Sequence, residues 1–470
     1  MIQNYTSDLT KGSIKGHLLH LALPASIGFF FNTMYNVVDT FWAGQLSTES
    51  LAGLSLNFPL YMLIMALGIG FSNGAGALIS NEIGAGREKT SNLYLSQTIS
   101  LTIILSAILT ALFQIFLKYI FIILNGEGEV LASAMRYGRV ITGGMVFISL
   151  VPVLNSSLVA RGNTRTYRNI LITGFFLNLA LDPLFMYTFG LKEAGVALAT
   201  IFIQALSLVF LIYIAKKSNA FSGLSFRDFI PEKKIVKEIL EQAVPASVNF
   251  LTMALGTFVI TYYVSSFGSE AVAAYGAAVR VEQIALVPTT GLNMALASLV
   301  GQNNGAGRMA RVIKSYKTSL LGGALVMIVI LPPVLVFGRQ IISAFTESEA
   351  VRSMGYKYLL IQGITYYSYI VLFQSNSLLQ GLKKPAMIMW MGLYRQIAAP
   401  AVIFYILSFA FGMRQDGVWW GLVIINWSAA VFTFIWAEKV YKDKCRITEA
   451  AVKEEKTNDT NDTEKAAAAE

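Results

Sequence analysis

The sequence predicts an all-α membrane protein of twelve transmembrane helices arranged in two six-helix, pseudo-symmetric lobes. Of its 470 residues, 55% are hydrophobic and only 13% are charged, whereas a soluble protein carries about 25% charged residues. Its apolar stretches reach the ~20 residues that a helix needs to cross the hydrocarbon core of a bilayer. An internal repeat divides these stretches into two sets of six.

Apolar runs separated by polar breaks define the predicted helices. They cover residues 17–43, 50–82, 91–123, 132–160, 168–189, 194–215, 237–266, 270–302, 311–337, 353–380, 386–411 and 416–440. The polar connector 216–236 joins the N-lobe, residues 1–215, to the C-lobe, residues 237–440. From residue 441 the chain is highly charged, which predicts a disordered cytoplasmic tail over 441–470.

The loop charges predict the orientation in the membrane. An even number of spans places both termini on one side. The loops and tails on that side carry about three times as many Lys and Arg residues as those on the other side. We therefore expect both termini in the cytoplasm and a multi-pass protein in a bacterial-type inner membrane.

The two halves of the chain are copies of each other. A shift of 221 residues aligns 24–87 with 245–308 without a gap. It places Pro24 on Pro245, and Gly84-Ala85-Gly86-Arg87 on Gly305-Ala306-Gly307-Arg308. Six spans in each half make these parallel repeats, related by an axis along the membrane normal. Such a repeat suits a transporter whose two lobes rock about a shared central site.

A polar stripe crosses the first span. Asn32, Asn36 and Asp39 stand at i, i+4 and i+7 on an otherwise apolar helix. A carboxylate at the bilayer centre costs about 3 kcal/mol or more, so a functional role is the default interpretation. A structural, capping or paired Asp is the alternative. The shift of 221 places Asp39 on the apolar Ile260, which confines the predicted cation site to the N-lobe.

The fifth and sixth spans add oxygen-bearing side chains. Asn178 and Asp182 are four residues apart, and Pro183 predicts a kink directly after them. Thr200 and Gln204 are also four residues apart. Carboxylate, amide and hydroxyl oxygens could bind Na⁺, or two close carboxylates could carry H⁺. These residue types are compatible with either ion.

The C-lobe contains fewer charged candidates. Glu282 is a candidate contact for a cationic substrate, and Arg395 is its most plausible distant partner. A purely structural ion pair is the alternative, and the aromatic Tyr366 could equally serve packing alone. The full set of predicted substrate-binding residues is Glu282, Asn32, Asn36, Gln204, Tyr366 and Arg395.

The ordered motifs resemble the multidrug and toxic compound extrusion (MATE) family, most closely its DinF-like and related prokaryotic branches. The shared motifs are a proline early in spans 1 and 7, an Asp late in span 1, the paired GAGR endings, and ARGNTR and QGLKKP after spans 4 and 10. The resemblance covers about residues 15–440. It implies an antiporter that expels small, often cationic, organic compounds against H⁺ or Na⁺. It also implies cation-coupling roles for Asp39, Asn178, Asp182, Thr200 and Asn155.

Other functions are disfavoured. The two histidines lie at the membrane boundary, at the start of the first span, so no catalytic His is predicted deep within the membrane and no enzyme is expected. The basic charge lies in loops, where it meets anionic lipid, so no nucleic-acid partner is expected. We expect a monomer with no cofactor beyond the coupling ion, which Asp39, Asn178, Asp182 and Thr200 would ligate if it is Na⁺. A lipid-linked sugar flippase of the same superfamily is the alternative function.

Overall fold

The computed structural model describes residues 7–467, and side chains as far as Glu449; within these limits it contains no β-strand. The all-α prediction is therefore confirmed. The α-helices of this region are α1 (Ile14–Leu46), α2 (Thr48–Leu56), α3 (Phe58–Gly84), α4 (Glu88–Ile123), α5 (Gly128–Gly143), α6 (Met145–Ala160), α7 (Arg165–Pro183), α8 (Glu193–Lys217), α9 (Lys233–Ser265), α10 (Ser269–Gly305), α11 (Met309–Ser343), α12 (Glu349–Gly363), α13 (Tyr366–Gly381), α14 (Ala386–Leu393), α15 (Ala399–Tyr405) and α16 (Gln415–Ala467).

The number of strongly apolar spans is smaller than predicted. Among the described residues, 10 helices are long and apolar enough to cross a membrane, and α5 with α6, bent by 46°, adds one more. The predicted span 353–380 is two helices, α12 and α13, which do not meet the same criterion. Its buried polar side chains, Gln362 and Gln374 among them, explain the difference. They face protein rather than lipid, as the Gln362 side chain shows by donating to the carbonyl of Trp419.

Several predicted helices are interrupted at identifiable residues. The predicted span 50–82 breaks at Asn57, whose side chain donates to the carbonyls of Gly53 and Ala134 at 3.0 Å each. After Pro183 the fifth span continues as a π-helical turn, Leu184–Thr188. Proline lacks the N–H that an α-helix needs, so the hydrogen-bond pattern widens there. The predicted kink after Asp182 thus takes the form of a π-helical turn.

The prediction of a disordered tail from residue 441 differs from the structure. α16 continues as a helix to Ala467, and residues 468–470 of the predicted tail lie outside the described residues. The segment is rich in Ala, Glu and Lys. These residues have high helix propensity, so the segment can form a helix although it contains few apolar residues.

The helices form an inner and an outer set. α3 and α10 are inner helices, since more than half of the most apolar window of each is buried. α4 and α11 are outer helices, with only 17% of that window buried. Their exposed apolar side chains form the surface that lipid would cover. Examples on these two helices are Ile104, Ile108, Ile115, Leu321, Leu325 and Ile328.

The repeat is visible in the backbone. Gly86 and Gly307, 221 residues apart, both have positive φ, +73° and +70°. After each, an arginine amide closes the turn: Arg87 donates to the carbonyl of Glu82 at 2.9 Å, and Arg308 donates to the carbonyl of Asn303 at 2.8 Å. Glycine adopts this conformation without strain, which explains the paired GAGR endings.

Beside these GAGR turns, a pair of equivalent hydrogen bonds joins the two lobes. Asn81 of α3 donates its amide to the carbonyl of Gly381, at 2.8 Å. Gln302 of α10 donates its amide to the carbonyl of Ala160, at 2.7 Å. The shift of 221 carries Asn81 to Gln302 and Ala160 to Gly381, so each lobe bonds to the other in the same way. We call these four residues the clasp.

The glycines at the clasp are required by the closeness of the helices. A Cβ on Gly84 would lie 1.9 Å from the carbonyl oxygen of Gln302, and one on Gly305 would lie 1.8 Å from that of Asn81. Both distances are far below any real contact, and the obstructing atoms are backbone. The clasp therefore holds α3 and α10 at a separation that only glycine allows.

The connector lies along α4 of the N-lobe. The side chain of Asn92 donates to the carbonyls of Asn219 and Ser222 at 2.9 Å each, and Ser96 donates to the carbonyl of Asp228 at 3.0 Å. The guanidinium of Arg161 holds Asn92 in place by donating to its Oδ1 at 2.7 Å. The polar connector is thus fastened to one lobe rather than suspended between the two.

Orientation can be tested with single cysteines in a Cys445→Ser background. Labels in the connector 216–236 should react with impermeant reagents only from the cytoplasm, and labels at Ser47 or Lys192 only from outside. Ser47 and Lys192 cap α2 and α8 at the end of the N-lobe opposite the clasp. Intact cells and inverted vesicles provide the two sides. Reversed reactivity at both kinds of position would overturn the predicted orientation.

Candidate functional site

Helices α1 and α7 of the N-lobe bring two carboxylates to one amide. Asn178 of α7 donates to Oδ1 of Asp39 on α1 at 2.8 Å and to Oδ1 of Asp182, one turn further along α7, at 3.0 Å. Thr200 of α8 and Asp182 both lie near Asp39. The structure therefore brings together four of the predicted residues, which we call the N-lobe cluster: Asp39, Asn178, Asp182 and Thr200.

The N-lobe cluster is enclosed and contains free acceptor atoms. Asn178 and Asp182 are completely buried and Thr200 is 4% exposed, while Asp39 is half-buried. Oδ1 of Asn178 and Oδ2 of Asp182 are buried without a hydrogen-bond partner among the described residues. Within the same part of the chain, no Lys or Arg nitrogen lies within 4.0 Å of either carboxylate. Buried acceptors without donors fit a proton or a small cation.

Tyr35 is a further member of this site, which the polar stripe of the first span did not predict. The hydroxyl of Tyr35 donates to Oγ1 of Thr200 at 3.1 Å. Tyr35 precedes Asp39 by four residues, so both project from the same side of α1. That spacing was available in the sequence, but the polar stripe was traced through Asn and Asp only.

Other predicted N-lobe residues make no hydrogen bond to the N-lobe cluster among the described residues. Asn155 is 2% exposed and its Oδ1 has no partner. Asn36 is exposed, and its amide donates to the backbone carbonyl of Asn32 at 3.1 Å. Gln204 is half-buried one turn beyond Thr200. Their roles in coupling or substrate binding remain predictions.

The C-lobe contains a cavity of about 170 Å³ that both polar and apolar side chains line. Glu282 lies in its wall, 6% exposed, and accepts a hydrogen bond from the hydroxyl of Tyr358 at 2.7 Å. Tyr358 was not predicted, because it lies in the polar helix α12 and far from Glu282 in sequence. The polar and aromatic residues that line the cavity include Glu282, Tyr358, Tyr369, Arg395, Gln396 and Asn426.

Arg395 shares this cavity with Glu282 without forming an ion pair within 4.0 Å among the described residues. Its Nη1 donates to Oδ1 of Asn426 at 3.1 Å, and its guanidinium carbon lies 5.8 Å from the ring centre of Tyr369. Arg395 projects from a π-helical turn, Tyr394–Ala398, which re-aims side chains relative to a regular helix. The close Glu282–Arg395 pair considered as a structural alternative is thus absent here.

Tyr366, predicted to bind substrate, lies elsewhere. It is 1% exposed, does not line the Glu282 cavity, and its hydroxyl has no hydrogen-bond partner among the described residues. Buried tyrosine hydroxyls usually find a partner. The structure therefore gives no support to a role for Tyr366 in this cavity, whereas its neighbour Tyr369 lines it.

The acidic groups occupy non-equivalent positions in the two lobes. Asp39 corresponds to Ile260, which lines the C-lobe cavity and is 8% exposed. Glu282 corresponds, by the same shift of 221, to Tyr61 of α3. The duplicated helices therefore carry one acidic site on α1 and α7 of the N-lobe and a different one on α10 of the C-lobe. The two acidic sites therefore differ in position and in surroundings.

Comparison with known proteins agrees with this architecture. The chain is 27% identical over 465 residues to the probable multidrug resistance protein NorM of Thermotoga maritima, covering 97% of this chain and 99% of that protein. It is 28% identical over 353 residues to the FAD transporter of Shewanella oneidensis, covering 74% of this chain and 78% of that protein.

A solved structure, the outward-facing conformation of a multidrug resistance MATE family transporter of the MOP superfamily, superposes with a TM-score of 0.88 at 26% identity. The superposition covers 93% of this chain and 98% of that one. The MatE family model matches residues 24–184 and 245–413, once in each half of the chain. Because these matches cover most of the sequence, the protein belongs to the MatE family of membrane transporters, as its motifs implied.

Proposed function

We propose that the protein exports small organic compounds from the cell in exchange for H⁺ or Na⁺, which bind at the N-lobe cluster. The observation that carries this proposal is a pair of carboxylates, Asp39 and Asp182, bound to a single amide, with no Lys or Arg nitrogen of the described residues within 4.0 Å. Two negative charges this close in a buried site repel strongly, so a bound proton or metal cation stabilises the pair. Loading and release of that ion can thus be linked to a change of conformation.

The clasp supports transport by alternating access. In this structure it joins the lobes at the end of the molecule where α1 begins, which the loop charges predict to face the cytoplasm. A substrate coming from the cytoplasm therefore needs a second state in which Asn81 and Gln302 release their carbonyls. A pair of lobes joined by equivalent hydrogen bonds can separate by a rocking motion about the axis of the repeat.

The C-lobe cavity suggests which substrates are carried. A buried glutamate beside Tyr358 and Tyr369 suits an organic cation, because aromatic faces and a carboxylate both attract positive charge. The relative from Thermotoga maritima is named a probable multidrug resistance protein, whereas the relative from Shewanella oneidensis is named for FAD, an anionic molecule. Arg395 in the same cavity is the group that would attract such an anion. We favour cationic and neutral drugs over anions, since the carboxylate of Glu282 in the same cavity would repel an anion.

The lipid-linked sugar flippase is the weaker alternative. An anionic pyrophosphate headgroup calls for several basic side chains, and the described part of the C-lobe cavity contributes one, Arg395. Dye uptake into inverted vesicles tests the proposal. A cationic dye should accumulate when an H⁺ or Na⁺ gradient is imposed, and not without one. Gradient-independent movement of a lipid-linked sugar instead would favour the flippase.

Glu282→Gln tests the assignment of the C-lobe cavity. Gln keeps the size of the side chain and can still accept from Tyr358, but it removes the negative charge. Export of cationic dyes should fall about ten-fold, the equivalent of 1.4 kcal/mol, while export of neutral dyes stays near the wild-type rate. The measurement is competitive export of a cationic and a neutral dye by the same vesicles. Equal losses for the two dyes would assign Glu282 to structure or coupling.

A further inference from the structure

The N-terminal segment Ser7–Gly12, which we call the strap, lies across one half of the clasp. The amide of Ser7 donates to the carbonyl of Arg161, at the end of α6 in the N-lobe, at 2.8 Å. The amide of Leu9 donates to Oε1 of Gln302, in the C-lobe, at 2.9 Å. Gln302 is therefore bound on both sides of its carboxamide, by the strap and by Ala160.

C-lobe side chains hold the carbonyls of the strap. The guanidinium of Arg308 donates to the carbonyl of Thr10 at 2.6 Å, and that of Arg311 donates to the carbonyl of Gly12 at 3.1 Å. The amide of Asn303 donates to the carbonyl of Leu9 at 3.2 Å. Charged donors make stronger hydrogen bonds than neutral ones, so the C-lobe binds the strap firmly.

The side chain of Leu9 is inserted between the lobes. It is 1% exposed and packs in a hydrophobic cluster with C-lobe residues, Leu296 and Val300 among them. On its other side lies the N-lobe turn after α6, where a Cβ on Gly162 would be 3.5 Å from Cδ2 of Leu9. Parting the lobes at this end would expose this leucine to water, which disfavours opening.

The repeat does not build a second strap. The shift of 221 carries residues 7–12 to 228–233, which belong to the connector and bond to α4 within the N-lobe through Ser96 and Gln97. At the other half of the clasp, Oδ1 of Asn81 accepts instead from the side chain of Asn304, at 2.6 Å. Only the Gln302 half is covered by the strap. The strap also borders a cavity of about 690 Å³ that both lobes line, so water reaches its edge.

We propose that the strap is a latch: it stabilises the state closed to the cytoplasm and must leave Gln302 before the lobes part. The proposal rests on the alternating access proposed above. It assigns to Leu9 and Arg308 the role of setting the balance between the two states, without contact to substrate or ion. Weakening the strap therefore raises the population that is open to the cytoplasm.

Distances between two spin labels measure this population. The labels replace Lys89 and Lys314, exposed residues on α4 and α11 near the clasp end, in a Cys445→Ser background. Leu9→Ala removes the inserted side chain, and Arg308→Gln removes the bond to the Thr10 carbonyl. The matched controls are Leu19→Ala, at a residue that is 69% exposed, and the exposed Lys317→Gln. Gly305→Ala, which obstructs the clasp directly, is the reference for an opened molecule.

Both strap variants should raise the fraction of molecules with the longer distance by about five-fold, the change that 1 kcal/mol produces, and the controls should not. Strap variants that match their controls while Gly305→Ala opens the molecule would overturn the latch and leave the proposed function intact. A single unchanged distance in every variant, Gly305→Ala included, would contradict alternating access itself. Arg308→Gln keeps the test decisive if Leu9→Ala folds poorly, because it leaves the packing of Leu9 in place.

Discussion

Asp39→Asn and Asp182→Asn should each abolish substrate accumulation driven by an ion gradient. Asn preserves the shape and still offers an oxygen to the amide of Asn178, but it cannot take up a proton or balance a cation with its own charge. An ion that crosses 100 mV gains about 2.3 kcal/mol, enough for roughly a 50-fold substrate gradient if coupling is tight. In either variant this gradient should collapse, as measured by dye accumulation in inverted vesicles.

The controls separate coupling from folding. Both variants should reach the membrane and bind dye, and Asp443→Asn, at an exposed position on α16, should behave as the wild type. The double variant should be little worse than either single one, because groups that act as a unit are not additive. Wild-type export by both single variants under an imposed gradient would show that the N-lobe cluster is not the coupling site.

Gly305→Ala and Gly84→Ala should each reduce export by about ten-fold or more. The added Cβ would lie within 2 Å of a backbone carbonyl across the lobe boundary, at 1.8 Å for Gly305 and 1.9 Å for Gly84. Overpacking of this kind costs about 1–3 kcal/mol, and here the cost falls on the closed state alone. The variants should therefore remain open to the cytoplasm and fail to complete the cycle.

Gly276→Ala is the matched control for this pair, because it lies on the same helix as Gly305 and has no neighbouring atom within 4 Å of an added Cβ. It should export at the wild-type rate. Export and the reactivity of a cysteine at Ser80, buried beside the clasp, would be measured together. Normal export by both clasp variants would mean that α3 and α10 need not approach this closely during transport.

The acidic site could be predicted from the sequence because carboxylates are rare within membrane-spanning helices. Placing the carboxylates of Asp39 and Asp182 inside a membrane costs free energy, and Asn178 lies one turn before Asp182. These residues can therefore be recognised from the sequence alone. The repeat was equally visible, since GAGR recurs at a fixed distance. Local signals of this kind depend on residues that are close in sequence or duplicated.

The contacts that join distant segments could not be predicted in the same way. Asn81 and Gln302 are ordinary amides in helical sequence, and only the packing of α3 on α10 shows that each bonds to the opposite lobe. The polar start of the chain gave no sign that Leu9 is buried between the lobes. Tyr358 is a further case, because it bonds to Glu282 although the two residues are 76 positions apart in the sequence.

Ion movement driven by substrate tests the central claim most directly. Purified protein in liposomes is loaded with a cationic substrate and diluted into substrate-free buffer, with no ion gradient imposed and with dyes for internal pH and Na⁺. Because coupling is reciprocal, substrate leaving the liposomes should move either H⁺ or Na⁺ inward, and the ion that moves is the coupling ion. Asp39→Asn and Asp182→Asn should abolish that movement. Substrate efflux from wild-type liposomes without movement of either ion would contradict exchange at the N-lobe cluster. So would ion movement in the two variants that equals that of the wild type.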